Sequence, residues 1–117
     1  MRKKVLICDD DHDLLEMTSI ILSKNDLDVH TLDDMTNLMK EVKNIGPQII
    51  LMDLNMPNVD GEMAVKMLNE DNSTSTIPVV LFSADPILEE TANHLGVKCL
   101  RKPFEINELR NVIIANV

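Results

Sequence analysis

The chain has 117 residues, of which 20 are acidic and 11 are basic, and its net charge is −9. This length fits one domain, expected over residues 1–117, and a hydrophobic content of 44% is typical of a folded protein. The acidic balance argues against binding to nucleic acid or to an anionic membrane. The apolar run 5–8 is too short for a signal peptide, and no run is long enough to span a membrane, so we expect a cytoplasmic protein.

Short apolar runs alternate with stretches of helical periodicity along the whole chain. The predicted strands are 5–8, 28–32, 49–52, 78–82 and 97–100, and the predicted helices are about 13–24, 34–45, 61–70, 86–95 and from 106 onward. The runs 5–8, 49–52 and 78–82 are continuous in apolar residues, which is typical of strands buried on both faces of a parallel sheet, whereas 28–32 and 97–100 are weaker strands. Five strand–helix units predict an α/β fold, a doubly wound (βα)5 parallel five-stranded sheet with helices on both faces.

Each predicted helix has an apolar stripe that should face the sheet. In chain order the stripes are Leu14, Met17, Thr18 and Ile21; Leu38, Val42 and Ile45; Met63, Val65, Met67 and Leu68; Leu88, Thr91, Ala92 and Leu95; and Ile106, Leu109 and Ile113. Gly96 follows the fourth stripe and is a candidate C-cap, because glycine readily adopts the left-handed conformation that ends helices.

Polar residues follow four of the predicted strands. The groups are Asp9-Asp10-Asp11, Asp53, Ser83-Ala84 and Lys102-Pro103-Phe104. Functional sites in parallel sheets lie outside the carboxyl ends of the strands, so these groups should meet at one edge. Carboxylates brought together repel each other unless a cation lies between them, and carboxylate oxygens suit Mg²⁺. With an ammonium and a hydroxyl added, the set is typical of phosphoryl transfer to an aspartate.

Some of these acidic residues have simpler interpretations. Asp11 and Asp13 are expected to cap and begin the following helix, where carboxylates are favourable. Asp60-Gly61 is typical of a turn before a helix. Asp53 differs, because it interrupts an apolar run that should be buried, and aspartate is rarely buried without a partner.

The motifs together resemble the CheY-like receiver domain of two-component response regulators. The matching pieces are the acidic cluster after the first strand, Met52-Asp53-Leu54-Asn55-Met56-Pro57 followed by Asp60-Gly61, Ser83-Ala84 and Lys102-Pro103-Phe104. The resemblance runs from Lys4 to about Val117 and implies the flavodoxin-like strand order 2-1-3-4-5. In that order Cys8 and Cys99 lie about three strand spacings apart, roughly 14 Å, too far for a disulfide.

The resemblance implies a role for each site residue. Asp53 would be the phosphoacceptor, with Lys102 and Ser83 binding the phosphoryl group. Mg²⁺ would be held by Asp9, Asp10, Asp53 and the backbone carbonyl of Asn55. Ala84 would leave room for the phosphoryl group, and the bond between Lys102 and Pro103 would be cis.

The implied function is a signalling switch and not a turnover enzyme. A histidine kinase or a histidine phosphotransfer protein would phosphorylate the domain, which would change conformation and later lose the phosphoryl group by hydrolysis. Asn55 and Asp85 are expected to tune that lifetime, and a downstream protein would bind about residues 86–116. No output domain is expected in the chain. Cys99 stands where the family often has Tyr or Phe, so the aromatic part of its usual switch is missing.

Three alternatives are open at the level of sequence. The first is a degenerate receiver that binds partners without phosphorylation. The second is a haloacid-dehalogenase-like phosphatase with Asp9 as nucleophile, although Asp13 stands where that family has Thr or Val and Asp53 would be unexplained. The third is a flavodoxin-like cofactor-binding module, although no phosphate-binding loop follows the first strand.

Overall fold

The computed structural model describes residues 2–56 and 59–117, so Pro57 of the predicted motif lies outside the described residues. The strands are β1 (Lys3–Cys8), β2 (Leu27–Leu32), β3 (Ile49–Asp53), β4 (Val79–Ser83) and β5 (Lys98–Arg101). The helices are α1 (His12–Ser23), α2 (Leu38–Ile45), α3 (Gly61–Glu70), α4 (Leu88–Leu95) and α5 (Ile106–Ile114). A short 3-10 helix at Met35–Asn37 replaces the predicted start of α2. No helix in these two ranges is long and apolar enough to cross a membrane.

The five strands form one parallel sheet in the order β2-β1-β3-β4-β5, which confirms the predicted order. The register brings the carboxyl ends of neighbouring strands to one level: Cys8 pairs with Met52, and Asp53 pairs with Phe82. Asp53 and Ser83 are the last residues of β3 and β4, so these strands extend one residue beyond their predicted ends. The polar groups that follow these strands in the sequence therefore meet along one edge of the sheet.

Helices cover both faces of the sheet, as the strand–helix alternation predicts. Alternate strand residues point to opposite faces, and each face has its own apolar core. The core on one face is built with α2, α3 and α4 and includes Met52 and Leu81. The other is built with α1 and α5 and includes Leu51 and Phe82. Burial on both faces explains why the central strands β1, β3 and β4 carry continuous apolar runs, whereas the edge strands β2 and β5 are mixed and less buried.

The predicted helix faces are correct for α2 and α4 and partly wrong for the other three helices. In α1 the buried residues are Leu15, Thr18 and Leu22, whereas Met17 is 50% exposed. Apolar residues surround most of α1, so the sequence alone could not define which stripe faces the sheet. In α3 Met63 is exposed while smaller residues pack inward, and in α5 Ile106 is exposed at the first turn.

The helix termini follow the predicted capping chemistry. The Asp11 carboxylate accepts hydrogen bonds from the backbone N–H groups of Asp13 and Leu14, which places Asp11 at the N-cap of α1. Asp60 caps α3 in the same way through Met63 N–H. Gly96 ends α4 with a φ of 71°, in the left-handed region, as predicted.

Gly61 brings the start of α3 against the end of β3. Its N–H donates to the carbonyl of Leu54 over 2.8 Å. A Cβ at this position would lie 2.6 Å from the carbonyl oxygen of Asp53 and 2.8 Å from the Cα of Leu54. Only glycine allows this approach of two backbones without displacement, and the backbone that would move carries Asp53.

We expect Gly61→Ala to lower the free energy of unfolding by about 1–3 kcal/mol, because the added methyl group overpacks against backbone. Urea denaturation measures the change. Gly46→Asn is the control, since a Cβ there meets no atom within 4 Å and asparagine tolerates its φ of 65°. A Gly61→Ala protein as stable as the wild type would contradict the close approach.

Candidate functional site

Three carboxylates meet at the carboxyl edge of the sheet. Asp9 follows β1 and Asp53 ends β3, and because these strands are neighbours their side chains lie side by side. Asp10 joins them, and one oxygen from each of the three carboxylates lies within 4.8 Å of the others. Asp9 and Asp53 are only 1% and 5% exposed, whereas Asp10 faces solvent. The three carboxylates predicted to bind a metal ion are therefore brought together.

Lys102 reaches this carboxylate cluster from the end of β5. Its Nζ lies 2.7 Å from Asp9 Oδ2 and 3.7 Å from Asp53 Oδ1. The backbone N–H of Lys102 donates to the carbonyl of Ser83 over 3.0 Å, which fixes the start of the loop after β5. The following bond to Pro103 is cis, as predicted. The ammonium is thus shared between two carboxylates, with Asp9 as the nearer one.

The pKa of Asp53 shows that the crowding of negative charge is only partly relieved. This pKa is raised to about 6, mainly by burial and next by the neighbouring Asp9 charge. The Lys102 ammonium and the N–H of Asn55 oppose the rise. Three carboxylates and one ammonium leave two uncompensated negative charges. A divalent cation with oxygen ligands fits both the charge and the donor set.

Ser83 lies at the end of β4, 3% exposed, and its hydroxyl is held from two sides. The Oγ accepts hydrogen bonds from Asn55 Nδ2 at 3.1 Å and from the N–H of Asp85 at 3.0 Å. Both lone pairs are therefore used, and the hydroxyl proton is available for donation. The Asp85 carboxylate accepts from the N–H of Ile87 and so caps the turn before α4.

The side of β5 that faces α4 carries Cys99 and Arg101 in alternate positions. Cys99 is half-buried against the core built with α2, α3 and α4. The Arg101 guanidinium forms a two-pronged ion pair with Glu89 of α4, in which Nε donates to Oε2 over 3.0 Å. It also donates to the carbonyl of Ala84 over 3.2 Å. Arg101 therefore links β5, the loop after Ser83 and α4; we call these contacts the Arg101 clamp.

Both cysteines are free thiols, as the strand order predicts. Cys8 is completely buried in β1, and burial raises its pKa far above the ordinary range. Burial also raises the pKa of Cys99. The two thiols therefore remain protonated at neutral pH.

Three residues shape the site in ways that the sequence did not indicate, although one of them, Gly61, belongs to a predicted motif. The centroid of the Phe82 ring lies 4.6 Å from Lys102 Nζ. Gly61 allows the backbone contact beneath Asp53, and Arg101 forms the clamp. Phe82 is one of two aromatic residues and directly precedes Ser83, and Arg101 directly precedes Lys102. Proximity to a predicted site residue was therefore the available signal, but it could not show which partner each side chain contacts.

A family model described as the response regulator receiver domain matches residues 5–114. The chain therefore belongs to the response regulator receiver domain family. It is 30% identical over 114 residues to the DNA-binding response regulator MtrA of Mycolicibacterium paratuberculosis, covering 93% of this chain and 48% of MtrA. It is 27% identical over 113 residues to the transcriptional regulatory protein KdpE of Staphylococcus aureus, covering 94% of this chain and 48% of KdpE.

The fold agrees with this assignment. The chemotaxis response regulator CheY4 of Vibrio cholerae superposes with a TM-score of 0.90 over all of both chains, at 22% identity. A response regulator from Chloroflexus aurantiacus superposes with a TM-score of 0.91 over 98% of this chain and 97% of the other, at 23% identity. The chain spans about half the length of MtrA and KdpE. It is a signalling domain of the receiver type, and these matches favour neither the phosphatase nor the flavin-binding alternative.

We expect Asp53→Asn to raise the free energy of unfolding of the metal-free protein by about 1–2 kcal/mol at pH 7.5. The ordinary pKa of 3.8 is raised to about 6 in the fold, so the native carboxyl binds a proton before the unfolded one does. Wild-type stability from this group therefore increases as the pH falls through 6, and the gain from Asp53→Asn should shrink at pH 5.

Urea denaturation in EDTA at the two pH values measures this difference. Glu16→Gln removes an exposed carboxylate of α1 and controls for net charge, so it should change stability little at either pH. A larger gain for Asp53→Asn at pH 5 than at pH 7.5 would contradict the raised pKa.

Proposed function

We propose that Asp53 is the phosphoacceptor of a two-component signalling pathway. The observation that carries the proposal is a carboxylate 5% exposed at a strand end, beside two further carboxylates and an ammonium. A carboxylate oxygen of Asp53 attacks the phosphorus of a phosphohistidine on a histidine kinase or a phosphotransfer protein. The P–N bond breaks, the imidazole leaves, and an acyl phosphate forms on Asp53.

The cation that fits the carboxylate cluster is Mg²⁺, held by Asp9, Asp10, Asp53 and the backbone carbonyl of Asn55. When bound, it supplies positive charge to the oxygens of the transferring phosphoryl group. The support for this assignment is the donor set of three carboxylates with two uncompensated charges. Asp10, the exposed member, lies on the side from which a hydrated ion enters.

Lys102 and Ser83 are proposed to bind the phosphoryl group once it is on Asp53. Lys102 Nζ is already within 3.7 Å of Asp53 Oδ1, and its charge stabilises the negative oxygens during transfer. The Ser83 hydroxyl has its proton free for a phosphoryl oxygen, since both lone pairs accept other bonds. Ala84, the next residue, is small enough to leave room for the group.

Hydrolysis of the acyl phosphate then resets the switch. Asn55 and Asp85, each two residues beyond a site residue, are proposed to tune the lifetime of the phosphorylated state. Asn55 is the better placed, because its amide group already contacts Ser83 Oγ and its backbone N–H donates to Asp53 Oδ1 over 3.3 Å. Its side chain is exposed, so it borders the path of an attacking water.

The conformational signal is proposed to pass through the Arg101 clamp to the surface formed by about residues 86–116. With Cys99 in place of an aromatic residue, Arg101 is the side chain of β5 that contacts both the loop after Ser83 and α4. A shift of Ser83 toward a phosphoryl group draws the Ala84 carbonyl away from Arg101. Exposed Ile87, Ile106 and Ile114 give this surface apolar contacts for a downstream protein.

Intact mass spectrometry tests the phosphoacceptor. Incubation with acetyl phosphate and Mg²⁺ should add the mass of one phosphoryl group to the wild type, and neither Asp53→Asn nor the wild type in EDTA should gain it. A gain that persists in Asp53→Asn would contradict the assignment. Absence of a gain with acetyl phosphate and with phosphoramidate, together with no response to beryllofluoride, would indicate a degenerate receiver.

Breaking the Arg101 clamp should favour the activated state. We expect Glu89→Gln to raise the affinity for beryllofluoride in Mg²⁺ about 2–5-fold, since an exposed ion pair that stabilises one state contributes a few tenths to 1 kcal/mol. Glu90→Gln is the matched control, because it removes the same charge from the same helix turn. Calorimetric titration measures both affinities, and equal values for the two variants would rule out the clamp as the coupling element.

A further inference from the structure

The two aromatic side chains of the protein lie together beside Lys102. Phe82 and Phe104 are the only aromatic residues in the sequence. Their ring centroids are 6.2 Å apart and the rings are inclined at 56°, a tilted arrangement that aromatic pairs prefer. Phe82 belongs to β4, and Phe104 lies in the loop after β5, two residues beyond Lys102.

The Lys102 ammonium lies over the face of the Phe82 ring, 4.6 Å from its centroid. This separation is within the range of roughly 6 Å over which a cation is attracted by the ring quadrupole. The attraction is strengthened by burial, because the ring is 1% exposed and the lysine side chain is 23% exposed. A leucine or isoleucine would fill the same core position without attracting the charge.

The Phe82 ring therefore bounds the Lys102 ammonium on one side. On the other sides Nζ meets Asp9 Oδ2 at 2.7 Å and Asp53 Oδ1 at 3.7 Å. A lysine side chain is long and flexible and holds its charge as a point, so it needs several contacts to fix its position. The ring face supplies a contact that does not use up a carboxylate oxygen.

We propose that Phe82 is a positioning residue for Lys102, whose ammonium it holds between Asp9 and Asp53 for phosphoryl transfer. This inference rests on the proposed function of Asp53 and Lys102. Phe104 lies one step further from the ammonium, because its ring packs on Phe82, and we assign it no part in holding Lys102. Weakening the ring quadrupole should therefore slow phosphorylation even when the shape of the core is unchanged.

Fluorinated phenylalanine tests the proposal, because fluorine withdraws electron density from the ring with little change in its shape. In a Phe104→Leu background, Phe82 is the sole phenylalanine, so biosynthetic incorporation labels that position alone. We expect the rate constant for phosphorylation by acetyl phosphate at saturating Mg²⁺ to fall steadily from phenylalanine to trifluorophenylalanine, by about 3–10-fold overall. The Mg²⁺ affinity, measured by thermal shift, should stay constant, since no carboxylate is altered.

Two matched series distinguish positioning from a structural role. In a Phe82→Leu background the same amino acids label Phe104, and the rate should not depend on fluorination. In a Phe104→Leu, Lys102→Met background the dependence on Phe82 fluorination should disappear. A rate that is insensitive to fluorination at Phe82, or one that falls equally without Lys102, would overturn the proposal.

An NMR measurement on the wild type separates this proposal from the function on which it rests. The ε-methylene protons of Lys102, assigned with Lys102→Arg, should be shifted upfield of those of the other lysines by the ring current of Phe82. The shift should be lost in Phe82→Leu and kept in Phe104→Leu. If the shift is present but the protein is never phosphorylated, the proposed function is wrong, and so is the role of Phe82 in phosphoryl transfer. If the protein is phosphorylated but the shift is absent, only the positioning role is overturned.

Discussion

The accumulation of negative charge at one edge of the sheet is the constraint on which the rest of the structure depends. Parallel pairing of β1 with β3 brings Asp9 level with Asp53, and neither can move away without breaking strand register. Two buried carboxylates whose oxygens lie within 4.8 Å of each other repel, and without a positive partner they destabilise the fold. The fold offsets them in part with the ammonium of Lys102, which follows β5, and the negative charge that remains fits a divalent cation. A ligand that neutralises this charge should therefore stabilise the edge.

The sequence was sufficient to predict the architecture and the membership of the site. Continuous apolar runs predicted strands buried on both faces, and the polar residues after them predicted the edge at which Asp9, Asp53, Ser83 and Lys102 meet. The strand order came from the family resemblance and not from the apolar pattern. Strand ends were displaced by one residue, because Asp53 and Ser83 are polar and yet hydrogen-bond within the sheet as strand residues.

The sequence was insufficient wherever tertiary contacts decide among equivalent local patterns. The apolar residues of α1 surround the helix, so only packing against the sheet selects Leu15, Thr18 and Leu22. A glycine before a helix is ordinary turn chemistry, and only the approach of two backbones shows why Gly61 is required. Residue roles that depend on a partner distant in sequence, such as Phe82 with Lys102, could not be inferred from spacing.

The positions of the aromatic residues relate two features of this receiver domain, the cysteine at position 99 and the phenylalanine at position 82. Position 99 faces α4 on one side of the sheet and carries a cysteine, so the ring that often couples the site to that helix is absent, and Arg101 contacts α4 instead. Phe82 pairs in register with Leu100 and faces the opposite side, toward α1 and α5. An aromatic ring is therefore present beside the carboxylate cluster, but on the side where it contacts Lys102 and not α4. Under the functions proposed above, the Phe82 ring would act on phosphoryl transfer and the Arg101–Glu89 ion pair on the coupling to α4, so that these two tasks would be divided between the adjacent strands β4 and β5.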